Sequence, residues 1–404
     1  MEPIPRPSYL DQLVKWRGRK VIKVVSGVRR CGKSTLLTLY ANHLMDDGVN
    51  PDSIISINFE DIRWENLKDY HVLHDHIVQR LSEETMTYVF LDEVQEVPEF
   101  ERAVDSLFLR DNVDLYLTGS NGYFMSTELS TLLTGRYVEI GMLPLSFSEY
   151  CTGVGVDTSS SSVLAETYRR YITQGAFPYI MNLEDDPQAR QDYLQGIYNS
   201  ILLKDVVARH RVSDVMMLED VTRYLLDNVG NILSPTRVSN SLTSAGRNVN
   251  QRTVEKYVTA LTQSLLFYEA RRFDIKGKRL LERLEKYYVV DLGLWYAMLG
   301  GRGFDVDHVL ENIVYLELLR RGFQVFVGQY GNQEVDFIAT RAGQRTYVQV
   351  AATVRDPAVF GRELAPLRSL ADSYPKLILT LDNDPDADYD GILRTNALSW
   401  LLNC

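Results

Sequence analysis

Cysteine is scarce in this sequence of 404 residues. It contains only Cys31, Cys151 and Cys404, which lie far apart along the chain. A disulfide framework needs paired cysteines, and a structural zinc site needs several cysteine or histidine ligands at short spacings. The sequence therefore excludes both kinds of cross-link.

Long apolar runs are also missing. No uninterrupted apolar stretch approaches the roughly 18 residues of a membrane-spanning helix, and the first residues, Met-Glu-Pro-Ile-Pro-Arg-Pro, lack the basic and then apolar layout of a signal peptide. We therefore expect a cytoplasmic protein with no membrane partner. Hydrophobic residues still make up 45% of the chain, which is ample for globular cores, and the length favours about two to four domains.

Positive charge is not in excess. The chain has 43 Lys and Arg residues against 54 Asp and Glu residues, a formal net charge of −11. This balance argues against a protein that coats nucleic acid along its whole surface. Any contact with nucleic acid must therefore be local.

A phosphate-binding loop is the clearest motif that is present. Residues 27–34, Gly-Val-Arg-Arg-Cys-Gly-Lys-Ser, match the pattern G-x-x-x-x-G-K-[ST] and follow an apolar run. In such a loop successive backbone N–H groups face the phosphates, while Lys33 reaches the β and γ oxygens and Ser34 ligates Mg²⁺. A helix follows, and its positive N-terminal end points at the anion. The predicted ATP contacts are Gly27, Val28, Arg29, Arg30, Cys31, Gly32, Lys33, Ser34 and Thr35, together with Ser120.

Two acidic residues end a second apolar segment. Residues 87–93 read Thr-Tyr-Val-Phe-Leu-Asp-Glu, which is typical of a strand buried on both faces of a parallel sheet. Downstream of a phosphate loop, Asp92 would hold Mg²⁺ through its water shell and Glu93 would polarise the attacking water. The next predicted strand leads to Ser120 and Asn121, which could sense the γ-phosphate or could simply form a strand exit.

A helix-turn-helix pattern lies further along the chain. Residues 218–228 are amphipathic, Ser234 caps a short helix, and residues 251–265 place apolar side chains at helical spacing. Residues 267–281 suit a β-hairpin wing. The pattern predicts a winged helix that either contacts DNA or only packs proteins together.

The basic residues near this pattern favour the DNA interpretation. Residues 271–286 contain seven basic and three acidic side chains, a net charge of +4, on an otherwise acidic chain. Exposed basic side chains of the second helix and of the wing would contact the groove and the phosphates. The candidate DNA contacts are Arg252, Lys256, Lys276, Lys278 and Arg279.

The last 120 or so residues predict a helix, three strands, a helix and a strand. This order, with Asp336 on one strand and Gln349 on the next, resembles the PD-(D/E)XK nuclease core. In active members these residues hold a metal, and a lysine two residues further on positions the attacking water. Here Ala351 stands at that position, so we expect a degenerate, structural or DNA-holding domain. The alternative is an active nuclease with a metal site that includes Glu311.

The whole chain resembles prokaryotic AAA-type ATPases fused to a C-terminal domain of unknown function. The resemblance is carried by the phosphate loop, Leu-Asp-Glu-Val-Gln at 91–95, Thr-Gly-Ser-Asn at 118–121, Leu-Thr-Gly-Arg at 133–136 and Glu-Val-Asp-Phe at 334–337. It implies an AAA-like ATPase, a winged helix and a nuclease-like end. From this and the order of the predicted elements along the chain, we expect an α/β fold with four parts. These are a P-loop ATPase at 1–151, a helical segment at 163–212, a winged helix at 213–286 and a nuclease-like domain at 287–404. Residues 152–162 read as a flexible connector.

Arg136 follows the predicted sensing strand at the distance from which many AAA-type proteins project an arginine finger into a neighbouring subunit. A surface or packing arginine is the alternative. A finger would require a homo-oligomer, which we expect.

These observations predict an ATP-hydrolysing, Mg²⁺-dependent ATPase that couples its nucleotide state to C-terminal modules acting on DNA. A nucleotide-gated switch that binds protein partners, with little turnover and little DNA contact, is the alternative function.

Overall fold

The computed structural model describes residues 3–120, 133, 135–183, 186–281, 284–301 and 305–403. The chain divides into two compact units. Unit 1 comprises Met1–Pro144 and Gln263–Leu265, and unit 2 comprises Leu145–Thr262 and Leu266–Cys404. Among the described residues, no helix is both long and apolar enough to cross a membrane.

Unit 1 is built around a parallel sheet with the strand order β2-β3-β4-β1-β5. Every residue of β1 and β3 is buried, as expected for strands covered on both faces. This α/β architecture confirms the predicted fold class. The strands are β1 Ile22–Gly27, β2 Ile54–Asn58, β3 Thr87–Asp92, β4 Val113–Ser120 and β5 Tyr137–Met142.

Amphipathic helices cover this sheet. In α4 the buried residues Phe100, Ala103, Val104 and Leu107 recur at helical spacing and pack against apolar side chains of the strands. The described helices of unit 1 are α1 Pro7–Trp16, α2 Lys33–Asp46, α3 Tyr70–Val78 and α4 Phe100–Phe108, with 3₁₀ turns at Pro51–Ser53, Ile62–Lys68 and Val94–Glu96.

Unit 2 begins with helices. The Ser146 hydroxyl and the Glu149 carboxylate each accept the other residue's backbone N–H and so cap the first helix. The helices are α5 Phe147–Val154, α6 Ser161–Gln174 and α7 Pro187–Ser200, continued by a π-helix at Ile201–Ala208. The predicted connector at 152–162 is too long, because α5 runs to Val154, where left-handed Gly155 ends it, and α6 starts at Ser161.

The helices of the predicted winged helix are present beside a small antiparallel sheet of order β6-β10-β7. The Ser234 hydroxyl accepts the backbone N–H of Arg237 and caps the middle helix. The elements are α8 Val215–Asp227, β6 Ile232–Leu233, α9 Pro235–Ser244, α10 Gln251–Gln263, β7 Phe267–Ala270 and β10 Glu285–Val289.

A hairpin is present over residues 272–280, but the prediction that it starts at residue 267 is wrong. After β7 the chain leaves the small sheet, and β8 Arg272–Asp274 pairs with β9 Arg279–Leu280 at the edge of a larger sheet. Phe273 and Ile275 pack into the apolar core of that larger sheet. Burial of these two side chains redirects the strand.

In the part of the chain that the structure describes, the larger sheet has eight strands in the order β15-β16-β14-β13-β12-β11-β8-β9. Strands β11, β12 and β13 form an antiparallel meander, and β14 then pairs parallel to β13. The remaining elements are α11 Leu292–Leu299, α12 Val306–Arg320, β11 Gln324–Tyr330, β12 Gln333–Arg341, β13 Gln344–Ala351, α13 Pro357–Arg368, β14 Lys376–Thr380, β15 Ala387–Asp388, β16 Ile392–Asn396 and α14 Ala397–Leu402.

A close backbone contact joins α6 and α11 within unit 2. The buried Asp291 carboxylate caps α11 by accepting the N–H of Leu294 at 2.8 Å, and it also accepts the N–H of Ala176 at 2.6 Å. Burial raises the pKa of Asp291 to about 6, although the backbone N–H groups oppose this. Gly293 lies so close to Gly175 that a Cβ at position 293 would stand 2.2 Å from the Gly175 nitrogen.

We therefore expect Gly293→Ala to lower the free energy of unfolding by about 3 kcal/mol, because backbone atoms must separate to admit the methyl group. Gly196→Ala is the matched control. Gly196 lies in α7 with no atom within 4 Å of a Cβ built there, and alanine should stabilise the helix by up to about 1 kcal/mol. Urea denaturation of both variants measures the difference, and equal stabilities would contradict this explanation of the contact.

Candidate functional site

The phosphate loop joins β1 to α2 and needs glycine at two points. A Cβ on Gly27 would lie 2.4 Å from the carbonyl oxygen of Met142 and 2.8 Å from the sulfur of Cys31. Gly32 stands at the N-terminus of α2 with φ of 104°, a conformation that favours glycine. These two constraints fix the curl of the backbone between the strand and the helix.

Lys33 folds back over this loop. Its ammonium donates to the carbonyl oxygen of Gly27 at 3.0 Å and lies 3.7 Å from a carboxylate oxygen of Glu93. The side chain is 5% exposed. A buried cation therefore sits at the start of α2, where the N-terminal helix dipole also favours anions.

Asp92 ends β3 beside this cation. Its carboxylate accepts hydrogen bonds from the amide of Asn58 at 2.8 Å and from the hydroxyl of Thr118. Burial raises the pKa of Asp92, and hydrogen bonds from Thr118 and Ser34 oppose the rise. The predicted Mg²⁺ residues Ser34 and Asp92 are thus brought together, and their hydroxyl and carboxylate oxygens are the ligands that this cation prefers.

Glu93 adopts an unusual backbone conformation for a side chain of its size, with φ of 53°. Its backbone N–H donates to the Thr118 hydroxyl at 3.0 Å, and its carboxylate accepts the amide of Gln95 at 2.5 Å. The other side of this amide, Gln95 Oε1, is buried without a hydrogen-bond partner in the part of the chain that the structure describes. The strained turn thus aims Glu93 toward Lys33.

Four residues of this site were not predicted as site residues. Thr118 and Gln95 fall inside the quoted motifs, which gave a signal that was not used, whereas Asn58 lies outside them at the end of β2. Arg6 gave none, because it stands alone near the N-terminus. Its buried guanidinium donates to the carbonyl oxygens of Cys31 at 3.2 Å and Leu143 at 2.7 Å, and so ties the phosphate loop to the end of β5.

The other predicted nucleotide contacts lie on or near the loop. Ser120 pairs with Gly27 in the strand register, and Asn121 lies outside the described residues. Val28 and Cys31 are buried, whereas Arg30 and Thr35 are exposed. A guanidinium nitrogen of Arg29 lies 4.0 Å from a carboxylate oxygen of Glu60.

Arg136 lies where the parallel strands begin, whereas the phosphate loop lies where they end. It precedes β5, whose first residue pairs with Ile22 at the start of β1, and its carbonyl oxygen accepts the Ile22 N–H at 2.7 Å. Its guanidinium is half exposed and forms an ion pair with Asp105 at 3.1 Å. Arg136 is therefore far from the loop of its own chain, and action on a neighbouring chain stays a prediction.

The candidate DNA residues divide between two surfaces. Arg252 and Lys256 are exposed on α10. Other residues of this helix line a cavity of about 320 Å³, and that lining includes Glu255, Glu269 and Glu285. These carboxylates would repel phosphate. The exposed residues Lys276, Lys278 and Arg279 lie instead at the turn between β8 and β9, on the edge of the large sheet.

The exposed positive charge of residues 271–286 is smaller than their sequence suggests. Lys286 is buried, and the Arg271 guanidinium forms an ion pair with Glu269 at 2.9 Å. The Lys286 charge is therefore withdrawn from the surface, and the exposed Arg271 charge is partly neutralised by Glu269. Among the described residues of this stretch, Lys276, Lys278 and Arg279 at the turn between β8 and β9 are exposed and available for contacts with phosphate.

The three predicted nuclease-like residues converge in unit 2. Glu311 comes from α12, Asp336 from β12 and Gln349 from β13. The backbone N–H of Val350 donates to the Asp336 carboxylate at 2.8 Å, and Gln349 Oε1 accepts the N–H of Asp336 at 3.3 Å. Burial, followed by the nearby Glu311 carboxylate, raises the pKa of Asp336 well above its usual range.

Lys286 enters this cluster from β10. Its ammonium lies 2.9 Å from a carboxylate oxygen of Glu311 and 2.8 Å from one of Glu334. Burial alone would lower the pKa of Lys286, but the carboxylates of Glu311, Asp336 and Glu334 outweigh it and raise that pKa, so the ammonium stays charged.

Comparison with known proteins identifies two parts of this chain. A family model described as "AAA domain" matches residues 19–151, and one described as "Domain of unknown function (DUF8612)" matches residues 165–305. Among solved structures, the Walker-type ATPase PABY2304 of Pyrococcus abyssi is similar with a TM-score of 0.49 and 14% identity, over 74% of this chain and 96% of that chain. The Aeropyrum pernix ORC1 protein in complex with DNA is similar with a TM-score of 0.30 and 14% identity, over 74% and 94%. Both scores are low, and neither similarity bears on what this chain binds.

Two sequence relatives are more informative. An uncharacterized protein of Haemophilus influenzae is 38% identical over 400 residues, which is 99% of this chain and 98% of that protein. The uncharacterized protein MJ1544 of Methanocaldococcus jannaschii is 30% identical over 328 residues, 78% of this chain and 71% of that protein. The chain, in which an AAA domain precedes a domain of unknown function, therefore belongs to the same family as these two proteins.

Proposed function

We propose that this chain binds and hydrolyses ATP. The observation that supports this most strongly is the convergence of Lys33, Ser34, Asp92 and Glu93 at the ends of β1 and β3. Lys33 would neutralise the β and γ phosphates, and Glu93 would hold and orient the attacking water. Ser34 and Asp92 would hold Mg²⁺, which when bound supplies positive charge to the phosphate oxygens.

The contacts around Glu93 suggest how nucleotide would activate the site. Lys33 is held by the Gly27 carbonyl and lies close to Glu93. A γ-phosphate would compete for this ammonium, because a doubly charged anion attracts it more strongly than one carboxylate. Glu93 would then be free to accept a proton from water, with Gln95 fixing the orientation of its carboxylate.

We further propose that the nucleotide state controls modules of unit 2 that act on DNA, and that the protein is a homo-oligomer. The exposed basic turn between β8 and β9 supports contact with phosphate. The second candidate function is a nucleotide-gated switch that binds proteins. It is favoured by the carboxylates beside α10, which suit a basic protein partner better than DNA.

The hydrolytic step can be tested at Lys33 and Glu93. Lys33→Ala should lose nucleotide binding, whereas Glu93→Gln should bind ATP and hydrolyse it at least about a hundredfold more slowly, because the amide accepts no proton from water. Glu96→Gln, an exposed change in the adjacent 3₁₀ turn, is the control and should hydrolyse normally. ATP binding and phosphate release are the measurements, and normal turnover by Glu93→Gln would remove Glu93 from this role.

The proposed arginine finger can be tested by mixing variants. Arg136→Ala should lower ATP hydrolysis about a thousandfold or more if the guanidinium reaches the phosphates of a neighbouring chain. Mixing it with Lys33→Ala should restore part of the rate, since an intact loop would then meet an intact arginine. Arg102→Ala, which removes another exposed arginine of unit 1, is the control. An unchanged rate for Arg136→Ala, or no rescue on mixing, would exclude action between chains.

DNA binding can be tested at the basic turn. Replacing Lys276, Lys278 and Arg279 together by alanine should weaken binding to every DNA about equally, and the log–log salt slope should fall by about one for each phosphate that is no longer neutralised. Arg63→Ala combined with Arg169→Ala removes exposed basic side chains elsewhere and is the control. Fluorescence anisotropy at several salt concentrations measures the slope. Unchanged binding by the triple variant, or no binding by the wild type at low salt, would favour the protein-binding switch.

A further inference from the structure

The acidic cluster of unit 2 contains a lysine that its sequence pattern does not predict. In the nuclease pattern the lysine belongs at position 351, where this chain has a buried alanine. Lys286 instead reaches the cluster from β10, a strand of the small sheet, and contacts Glu311 and Glu334 with its ammonium. Its side chain is 6% exposed, so the positive charge is largely withdrawn from water.

One side-chain oxygen of each of Glu311, Asp336 and Gln349 already has a protein donor. One oxygen of Glu311 accepts both the Lys286 ammonium and the Tyr288 hydroxyl, the latter at 2.5 Å. One oxygen of Asp336 accepts the Val350 N–H. The side-chain oxygen of Gln349 accepts the N–H of Asp336, and its amide nitrogen donates to Glu363 at 2.8 Å.

A divalent metal does not fit this arrangement. Mg²⁺ demands several free oxygen ligands at near-octahedral geometry, and a charged ammonium between the carboxylates would repel it. In the described ranges, no group of three His, Cys, Asp or Glu side chains is arranged to hold a metal ion. The chemistry of the donor set therefore differs from that of the nuclease core which the sequence resembles.

We propose that the Lys286 ammonium is itself the cation of this cluster and takes the place that a divalent metal has in an active nuclease. The cluster is then an internal ion-pair core. It joins β10 of the small sheet to β12 of the large sheet and to the neighbouring helix α12. It leaves no site for metal-assisted cleavage. Its role is to hold two modules of unit 2 together.

Mn²⁺ binding tests this proposal, and electron paramagnetic resonance of the free ion measures it. All proteins carry Asp92→Asn, which removes the carboxylate of the proposed metal site beside the phosphate loop. With Lys286 in place, the protein should bind no Mn²⁺ at the cluster, and adding Glu311→Gln should leave the amount of bound Mn²⁺ unchanged. Lys286→Met keeps a side chain of similar length without the charge and should gain about one Mn²⁺ per chain, because the carboxylates lose their internal cation. Adding Glu311→Gln to that variant should abolish the gain.

Two results would overturn the proposal. The first is Mn²⁺ binding by the protein with Lys286 that disappears with Glu311→Gln, together with Mn²⁺-dependent DNA cleavage that Asp336→Ala abolishes. The second is a Lys286→Met protein, folded by circular dichroism, that binds no Mn²⁺. Comparing proteins that keep Lys286, with and without Glu311→Gln, needs no Lys286 variant. This comparison therefore decides the question by itself if Lys286→Met does not fold.

Discussion

The hydroxyl of Thr118 is the contact on which the candidate nucleotide site depends most. It donates to Asp92 and accepts the backbone N–H of Glu93, and so it joins the ends of the neighbouring strands β3 and β4. This pair of hydrogen bonds holds the left-handed turn at Glu93, which would otherwise be costly for a non-glycine residue. Because the turn is held, the two carboxylates have different neighbours. Asp92 lies beside Ser34, and Glu93 lies beside Lys33.

Buried charge has different roles in the two units. In unit 1, Lys33 is held by a backbone carbonyl and lies close to Glu93, so a phosphate can replace these weak partners. In unit 2, the Lys286 ammonium contacts the carboxylates of Glu311 and Glu334, and the Tyr288 hydroxyl and the Val350 N–H donate to Glu311 and Asp336. Removing one member of a buried ion pair leaves the other charge uncompensated, which is strongly destabilising. In our proposals, Lys33 therefore binds a phosphate, whereas Lys286 takes the place of a metal ion.

The sequence predicted the parts of the site that lie within one local segment. The phosphate loop and the strand ending in Asp92 and Glu93 are each continuous in sequence, and the chemistry that we propose for them rests on residue type and spacing. Thr118 and Asn58 join them only because β2, β3 and β4 are neighbours in the sheet. Such strand order depends on packing of the whole unit and leaves no local signal.

The same limit explains what was mispredicted in unit 2. Residues 267–281 have the composition of a hairpin, but burial of Phe273 and Ile275 against the large sheet decides where the chain goes. Lys286 belongs to a basic stretch in the sequence and was counted with surface charges, yet β10 carries it into the acidic cluster. Helices were predicted more closely because caps such as Ser234 and apolar spacing act within a few residues.

We infer above all that this chain hydrolyses ATP and that DNA influences the rate. The decisive experiment is steady-state ATP hydrolysis by the full chain, measured with Mg²⁺ or with a chelator and with duplex, single-stranded and branched DNA. We expect turnover that requires Mg²⁺ and rises with at least one of these DNAs. Tightly retained nucleotide, with no turnover and no response to any DNA, would contradict this inference.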